Sequence, residues 1–392
     1  MNAVQSVPEK VGVLGGGRMG AGIAHAFLTA GASVVVVERD DDAAEGARRR
    51  VTDALLKSVE RGTTTETIEG LTKRLAVSVD YAAFGPCGLV VEAVPEDFEL
   101  KSTALKAVEG QLAPTAWLAT NTSSLSIGKL AEQLRRPGSF CGLHFFNPVP
   151  ASQLVEVVLA PQTSTELAAA SKGWVEALGK TAVVVHDAPG FASSRLGVAI
   201  ALEAMRMVEE GVASAEDIDA AMVLGYKHPV GPLKTTDIVG LDVRLGIAEY
   251  LHTTLGDRFA PPQILRDKVA KGELGRKTGK GFYVWKDGKA QQPPGPQLQT
   301  GQQPPEPTPE MIDRLVLPIS NVCVACLREG IVDNADVVDG AMIFGTGYAP
   351  FRGGPLNYAR TRGPENVAST LRALAQKFGD RFTPDPGWET FK

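Results

Sequence analysis

The chain has 392 residues and a formal net charge of −5 at pH 7, with 44% hydrophobic and 22% charged residues. These values indicate a globular protein of two or three domains and exclude a disordered chain. The mildly acidic balance gives no reason to expect nucleic acid or an anionic membrane surface as a partner. No apolar run approaches the length of a membrane span.

The N-terminus and the cysteines bear on cellular location and metal binding. The opening MNAVQSVPEK lacks the apolar core of a signal peptide, and four cysteines are too few for a disulfide scaffold. We therefore expect a reducing, cytoplasmic environment. Cys323 and Cys326 form C-x-x-C, but they lie in an apolar helical pattern without a second ligand pair. We interpret them as core residues, and no metal site is expected.

The first segment carries a dinucleotide-binding pattern. An apolar run from Lys10 leads into GGGRMG and then into a helical pattern, which places G-x-G-x-x-G in its expected context. The glycines permit a tight turn, close approach of a pyrophosphate, and close helix packing. Glu38 ends the next apolar run, 18 residues beyond Gly20, where a ribose ligand is expected. Its charge favours NAD over NADP. The candidate cofactor residues of the loop are Gly15, Gly17, Arg18, Met19 and Gly20.

Further apolar runs alternate with helical patterns. The expected strands after the first two are residues 88–96, 116–120, 140–143, 154–159 and 181–185, and residues 40–74 read as a polar helical hairpin. This alternation predicts an α/β, Rossmann-type, doubly wound and mostly parallel sheet. Asn121-Thr-Ser-Ser-Leu125 follows a strand, where ligands bind in such sheets, although helix capping explains the hydroxyls equally well.

A histidine and a glutamate lie on consecutive apolar runs. His144 follows the run that begins at Phe140, a loop with two prolines comes next, and Glu156 lies within the following run. If the loop folds back, the carboxylate reaches the imidazole, fixes its tautomer and stabilises its charged form, as a general base requires. Taken alone, two core residues that never meet are the commoner arrangement. The surrounding pattern favours the pair.

The pattern becomes helical beyond residue 187. Four helices are expected, at residues 196–210, 214–224, 234–255 and 263–271. Segment 209–222 is similar to segment 328–342, and HPVGPL is similar to FRGGPL, so one helical unit occurs twice. The expected domains are a dinucleotide-binding domain (residues 1–188), a first helical domain (189–286), a linker rich in Gln, Pro and Gly (287–309) and a second helical domain (310–392).

These motifs together resemble the 3-hydroxyacyl-CoA dehydrogenase family. The motifs are VGVLGGGRMG, VVEAVPED, ATNTSSL, GLHFFNPVP with LVEVV, PGF before SRL, GPLKTTDIVGLD and GRKTGKGFY. The repeated unit with GTGYAPFRGGPLNYAR is similar to the dehydrogenase portion of multifunctional fatty-acid oxidation enzymes. The resemblance implies two all-α domains built as 6-phosphogluconate dehydrogenase-like repeats. It also implies NAD as cofactor and an acyl-CoA substrate.

The resemblance assigns roles at the reacting centre. It implies that His144 takes the hydroxyl proton while hydride passes from C3 of the substrate to the nicotinamide. Glu156 would stabilise the imidazolium, and Ser123 would hydrogen-bond the 3-oxygen. Many relatives have asparagine where this chain has Ser194, so the shorter serine side chain affects the expected contact with the thioester carbonyl.

The resemblance also assigns contacts to the cofactor and to CoA. Glu38 would bind the adenosine ribose, and Glu96 and Lys101 would line the nicotinamide side of the site. The remaining implied contacts are Asn147 with the nicotinamide, Lys277 with the cofactor or CoA, and Arg61 with a CoA phosphate.

Three hypotheses remain open on function. The first is an NAD-dependent dehydrogenase of short or medium (S)-3-hydroxyacyl thioesters such as 3-hydroxybutyryl-CoA. The second keeps this chemistry on an acyl-carrier-protein thioester or on a free hydroxy acid. The third is a non-catalytic NAD-binding interaction protein. The repeated unit can take the place of a partner subunit, so a monomer or a homodimer is expected.

Overall fold

The computed structural model describes residues 6–291, 307–346 and 348–392. The chain divides into two compact units, Met1–Ala188 and Pro189–Lys392. Most of the predicted linker, residues 292–306, lies outside the described residues. Within the described part, no helix has the length and apolar character that crossing a bilayer requires.

The first unit contains an eight-stranded sheet in the order β3-β2-β1-β4-β5-β6-β7-β8. Neighbouring strands are parallel except β6 and β7, which are antiparallel. The strands are β1 (Lys10–Leu14), β2 (Ser33–Val37), β3 (Leu75–Ser78), β4 (Leu89–Glu92), β5 (Trp117–Thr120), β6 (Phe140–Phe145), β7 (Leu154–Leu159) and β8 (Thr181–His186). The expected Rossmann-like sheet is therefore confirmed.

Within the described residues of the first unit, six α-helices accompany this sheet. They are α1 (Arg18–Thr29), α2 (Asp41–Glu60), α3 (Ile68–Lys73), α4 (Phe98–Glu109), α5 (Ile127–Ala131) and α6 (Thr165–Ala177). A hydrophobic core cluster of this unit joins Val13 and Val36 of the sheet to Ile23 and Phe27 of α1, and all four side chains are fully buried. Because β1 lies between β2 and β4, the chain leaves it toward opposite sides, and ligands bind at such a switch point.

Strand β3 was not predicted. It has only four residues, LAVS, and only Leu75 is buried. A strand this short and this exposed shows no clear periodicity, so the prediction ended the hairpin at residue 74 without a following strand. The polar residues 41–73 do form helices, α2 and α3, as expected.

The second unit is mainly helical. Its first part comprises α7 (Ser193–Glu209), α8 (Ala215–Tyr226), α9 (Pro232–Val239), α10 (Leu241–Leu255) and α11 (Gln263–Ala270), and a small hairpin of β9 (Val284–Lys286) and β10 (Lys289–Gln291) follows. Its last part comprises α12 (Pro309–Arg328), α13 (Ala335–Thr346), α14 (Pro355–Arg362) and α15 (Pro364–Phe378). Cys323 and Cys326 are both buried in α12, and neither belongs to a disulfide.

Two details of this unit correct the prediction. The helix expected over residues 234–255 is two helices, because Gly240 has φ of 112° and ends α9. The hairpin also extends ordered structure to residue 291, inside the segment that was predicted to be linker.

One capping arrangement occurs twice in this unit. Asp219 of α8 accepts hydrogen bonds from two amides in the first turn of α9, and Asp339 of α13 does the same for α14. A Cβ atom at Gly231 or Gly354 would lie only 2.2 or 2.4 Å from the corresponding aspartate. The repeated sequence pattern therefore corresponds to repeated local structure.

Candidate active site

The glycine loop joins β1 to α1. Gly15 has φ of +88°, and a Cβ atom there would lie 3.0 Å from the carbonyl oxygen of Ala93. A Cβ atom at Gly20 would lie 1.7 Å from the carbonyl oxygen of Gly15, whereas none of the surrounding atoms lies within 4 Å of a Cβ position at Gly17. Gly15 and Gly20 are therefore required by the turn, and Gly17 leaves open surface where a pyrophosphate can approach.

Gly16 is a further required glycine that the motif does not specify. A Cβ atom there would lie 2.3 Å from Ala47 Cβ of α2. Its amide donates to Glu38 Oε1 at 2.7 Å, and its carbonyl accepts from Arg50 Nε at 2.8 Å. The loop is thus fixed against α2 and against the acid that follows β2. This placement of the glycines and of Glu38 fits a dinucleotide with a ribose beside the carboxylate.

His144 and Glu156 meet across β6 and β7. The register pairs the two residues directly, and His144 Nδ1 lies 2.8 Å from Glu156 Oε2. His144 is 7% exposed and Glu156 0% exposed. The prediction that the proline loop folds back and joins the two side chains is confirmed. A carboxylate at Nδ1 fixes the tautomer and orientation of the imidazole.

Glu96 orders the turn that contains Ser123. Its Oε1 accepts from Thr122 Oγ1 at 2.6 Å, from Ser123 N at 2.8 Å and from Ser124 N at 3.2 Å. Burial raises the pKa of Glu96, but the charge of Lys101 and these hydrogen bonds outweigh it, so the pKa lies below its ordinary value. The carboxylate therefore remains ionised and holds the serine turn at the end of β5.

A buried ion pair lies beneath this turn. Lys101 is 1% exposed, and its Nζ donates to Glu92 Oε1 at 2.8 Å and to the carbonyl oxygen of Val94 at 3.0 Å. The same ammonium lies 3.4 Å from Glu96 Oε2. Glu92 is a functional candidate that the sequence prediction missed, although a single acid inside the apolar run LVVEAV was a visible signal.

The turn and the histidine strand are linked directly. Asn121 Oδ1 accepts from the amide of Phe145 at 2.8 Å. Because Ser123 lies two residues beyond Asn121 and His144 immediately precedes Phe145, this bond brings the serine turn to the end of β6. Ser123, the expected hydrogen-bond donor to the substrate's 3-oxygen, and His144, the expected base, thus lie at the same edge of the sheet.

The loop that carries Asn147 is fixed by a lysine. Lys180 Nζ donates to the carbonyl oxygens of Val149 at 2.7 Å and Ser152 at 2.5 Å. Val149 is buried, and a Cβ atom at Gly22 of α1 would lie 2.8 Å from its Cβ. Asn147 itself is exposed. Lys180 was not among the sequence candidates, because its contacts are with backbone atoms.

The other sequence candidates lie at the surface or in the second unit. Arg18 is exposed and Met19 half-buried at the start of α1, and Arg61 is exposed at the end of α2. In the second unit, Ser194 lies in the first turn of α7, and Lys277 Nζ contacts both carboxylate oxygens of Asp242 at 2.6 Å. Their contacts with a ligand remain predictions. Among the described residues, no group of three potential ligands is placed to hold a metal ion.

Comparison with known proteins identifies the family. Residues 10–188 match the family model "3-hydroxyacyl-CoA dehydrogenase, NAD binding domain", and residues 190–285 match "3-hydroxyacyl-CoA dehydrogenase, C-terminal domain". The chain belongs to the 3-hydroxyacyl-CoA dehydrogenase family. It is therefore an NAD-dependent oxidoreductase, as the glycine loop and Glu38 predicted.

Individual relatives agree with this assignment. A probable 3-hydroxybutyryl-CoA dehydrogenase of Deinococcus radiodurans is 42% identical, covering 70% of this chain and 100% of that protein. The fatty acid oxidation complex subunit alpha of Vibrio cholerae is 36% identical over 96% of this chain, which spans about half of that subunit (54%). The crystal structure of 3-hydroxybutyryl-CoA dehydrogenase from Escherichia coli has a TM-score of 0.85 at 27% identity, covering 98% of both chains.

Proposed function

We propose that the chain interconverts (S)-3-hydroxyacyl-CoA and 3-oxoacyl-CoA with NAD, on short acyl chains such as 3-hydroxybutyryl. The single observation that carries the proposal is the buried contact of 2.8 Å between His144 and Glu156 at the ligand-binding edge of the sheet. The names of the Deinococcus and Escherichia relatives support the short chain length. The four cysteines are buried and outside any disulfide, which supports a reducing, cytoplasmic setting.

The residues of the site have separate roles in the proposed reaction. NAD supplies the hydride acceptor when it is bound. His144 takes the C3 hydroxyl proton at Nε2, because loss of hydride from C3 makes that hydroxyl acidic. Glu156 stabilises the resulting imidazolium. Ser123 donates a hydrogen bond to the same oxygen, and Glu96 holds the serine turn in place.

The remaining contacts complete this proposal. Glu38 binds the adenosine ribose beside the glycine loop, Asn147 positions the nicotinamide, and Lys101 acts with Glu96 on the nicotinamide side. Arg61 contacts a CoA phosphate, Ser194 the thioester region, and Lys277 the cofactor or CoA. Lys277 forms a salt bridge with Asp242, so when the ligand binds the ammonium must either leave Asp242 or contact Asp242 and the ligand together.

An activity assay with acetoacetyl-CoA and NADH tests the proposed function. We expect NADH oxidation that depends on the thioester and is lost in His144→Gln. Full activity on a carrier-protein thioester with none on CoA thioesters would support the carrier alternative. NADH binding without turnover of any acyl length would support a non-catalytic protein and reject the proposal.

We also infer that the second unit contains two all-α, 6-phosphogluconate dehydrogenase-like repeats that pair as two subunits would. Arg195 lies in α7, and Glu210 follows its last residue. In the repeated unit they correspond to Arg314 and Glu329, each 119 positions later. Arg195 Nη1 lies 2.6 Å from Glu329 Oε2, and Arg314 Nη2 lies 2.7 Å from Glu210 Oε2. Such reciprocal contacts are typical of a two-fold interface.

This pairing predicts the oligomeric state. Because the second repeat occupies the surface that a partner subunit would use, the full chain is expected to be a monomer. Light scattering on the full chain measures its mass directly. A stable dimer formed through α7 and α10 would reject the inference, whereas a monomer that becomes aggregation-prone in Arg195→Ala/Arg314→Ala would support it.

A further inference from the structure

Three charged side chains near the carboxyl end of β4 form one cluster in which the charges do not balance. Glu92, the last residue of β4, is fully buried, and Lys101 of α4 is 1% exposed. Lys101 Nζ lies 2.8 Å from Glu92 Oε1 and 3.4 Å from Glu96 Oε2. Within the described residues, neither carboxylate forms an ion pair with any other cation. We call Glu92, Lys101 and Glu96 the charge triad.

Both carboxylates of the triad are held in the ionised form. Glu92 Oε1 accepts from the amide of Val94 at 2.6 Å, and Glu92 Oε2 accepts from Thr120 Oγ1 at 2.6 Å. Together with Lys101, these partners are all donors, which favours a carboxylate over a carboxyl group. For Glu96, the hydrogen bonds from the serine turn and the charge of Lys101 hold the pKa below its ordinary value. Two negative charges and one positive charge leave the triad with a net charge of −1.

The ammonium of Lys101 is fully used within the fold. In addition to the two carboxylates, it donates to the carbonyl oxygen of Val94 at 3.0 Å. An ammonium has three N–H donors, and these three neighbours account for all of them. Lys101 therefore acts on a ligand through its charge, and two carboxylates oppose that charge.

The order of the strands places the triad on the expected path of the cofactor. Glu38 follows β2 and the glycine loop follows β1, so the adenosine end belongs on that side of the sheet. His144 lies near the carboxyl end of β6, which is parallel to β5. Since β4 and β5 lie between β1 and β6, a dinucleotide that extends from Glu38 toward His144 must cross the carboxyl ends of these two strands. Glu92 ends one of them.

The proposed reaction moves one unit of positive charge. The C3–H and O–H bonds of the substrate break as the carbonyl forms; a hydride with its two electrons passes to the nicotinamide, and the proton passes to His144. The ring thereby loses its positive charge and the imidazole gains one. Glu156 stabilises the charge on the imidazole. In the first unit, the triad is the corresponding negative group on the nicotinamide side.

We propose that Glu92 sets the preference of the site for oxidised over reduced nicotinamide, because it gives the charge triad its net negative charge. This inference rests on the dehydrogenase function proposed above. Glu92 is fully buried and acts through the field of the triad and through the position of Lys101, so it is a positioning residue. Removing its charge weakens binding of NAD⁺ relative to NADH.

Binding of both cofactor forms to the full chain, without any thioester, tests the proposal. Calorimetric titration gives the dissociation constants of NAD⁺ and NADH, and the readout is the ratio Kd(NADH)/Kd(NAD⁺). In Glu92→Gln the amide can keep the contacts with Val94, Thr120 and Lys101, but the triad becomes neutral. We expect the ratio to fall about fivefold, the order expected for one unit charge acting across a partly solvated site.

A second variant restores the net charge without restoring the glutamate. Glu92→Gln/Lys101→Met leaves only the charge of Glu96, so the ratio should return to within about twofold of the wild-type value. Glu109→Gln is the matched control, because it removes a buried carboxylate that accepts from two backbone amides at the far end of α4. Its ratio should equal that of the wild type.

Equal losses of NAD⁺ and NADH affinity in Glu92→Gln would overturn the proposal, because they would give the triad a structural role alone. So would a ratio that stays low in Glu92→Gln/Lys101→Met. If Glu92→Gln does not fold, Glu96→Gln neutralises the triad as well, and an unchanged ratio in that variant would overturn the proposal. A wild type that turns over no thioester would reject the proposed function, yet the ratios of the Glu92 variants would still support or overturn the role of Glu92.

Discussion

Replacing Glu156 by glutamine removes a charge from the site and keeps the shape of the side chain. The carboxylate is fully buried and lies 2.8 Å from His144 Nδ1. With the two charges centred about 4 Å apart and an effective dielectric constant of about 20, the carboxylate stabilises the imidazolium by about 4 kcal/mol. An amide oxygen still accepts the hydrogen bond but lacks this charge. We therefore expect kcat to fall about a thousandfold.

The assay is steady-state reduction of acetoacetyl-CoA with NADH, together with NADH binding measured by fluorescence. The loss should appear in kcat, while the dissociation constant of NADH changes little, because the glycine loop and Glu38 are untouched. Glu166→Gln, at an exposed position in the first turn of α6, is the matched control and should retain wild-type kcat. If Glu156→Gln keeps more than about a tenth of the wild-type kcat, the carboxylate does not stabilise the charged base, and the reasoning fails.

Three further predictions concern the cofactor, the Asn147 loop and pH. Glu38→Ala should raise KM for NADH about tenfold and reduce the preference over NADPH, since it removes the charge beside the ribose; an unchanged ratio of the two KM values would contradict this. Lys180→Met, which removes two bonds to the loop backbone, should lower kcat/KM about tenfold and weaken NADH more than ADP-ribose, with Lys180→Arg less affected and Lys172→Met as exposed control. Burial lowers the pKa of His25 from 6.5 to about 4, so the unfolded state binds more protons between these values and stability falls as pH drops through that window. His25→Gln should flatten this fall in melting temperature, and an identical pH dependence would refute the assignment.

The sequence pattern predicted the sheet wherever its strands are buried on both faces. Runs such as Val34–Val37 contain only apolar residues, and their spacing from helical patterns indicates parallel pairing. The pair of His144 and Glu156 was predictable for the same reason, because two apolar runs joined by a short loop must become neighbours if the loop folds back. Strand β3 was missed because only one of its four residues is buried.

The supporting contacts of the site could not be predicted. Glu96 binds backbone amides of a turn 27 residues away, and Lys180 binds carbonyl oxygens about 30 residues earlier in the chain. Such contacts depend on where two elements come together in space, and a backbone partner leaves no mark in the sequence. The break at Gly240 was likewise hidden, because a single glycine is tolerated in a helical pattern and only its φ of 112° shows that the helix ends there.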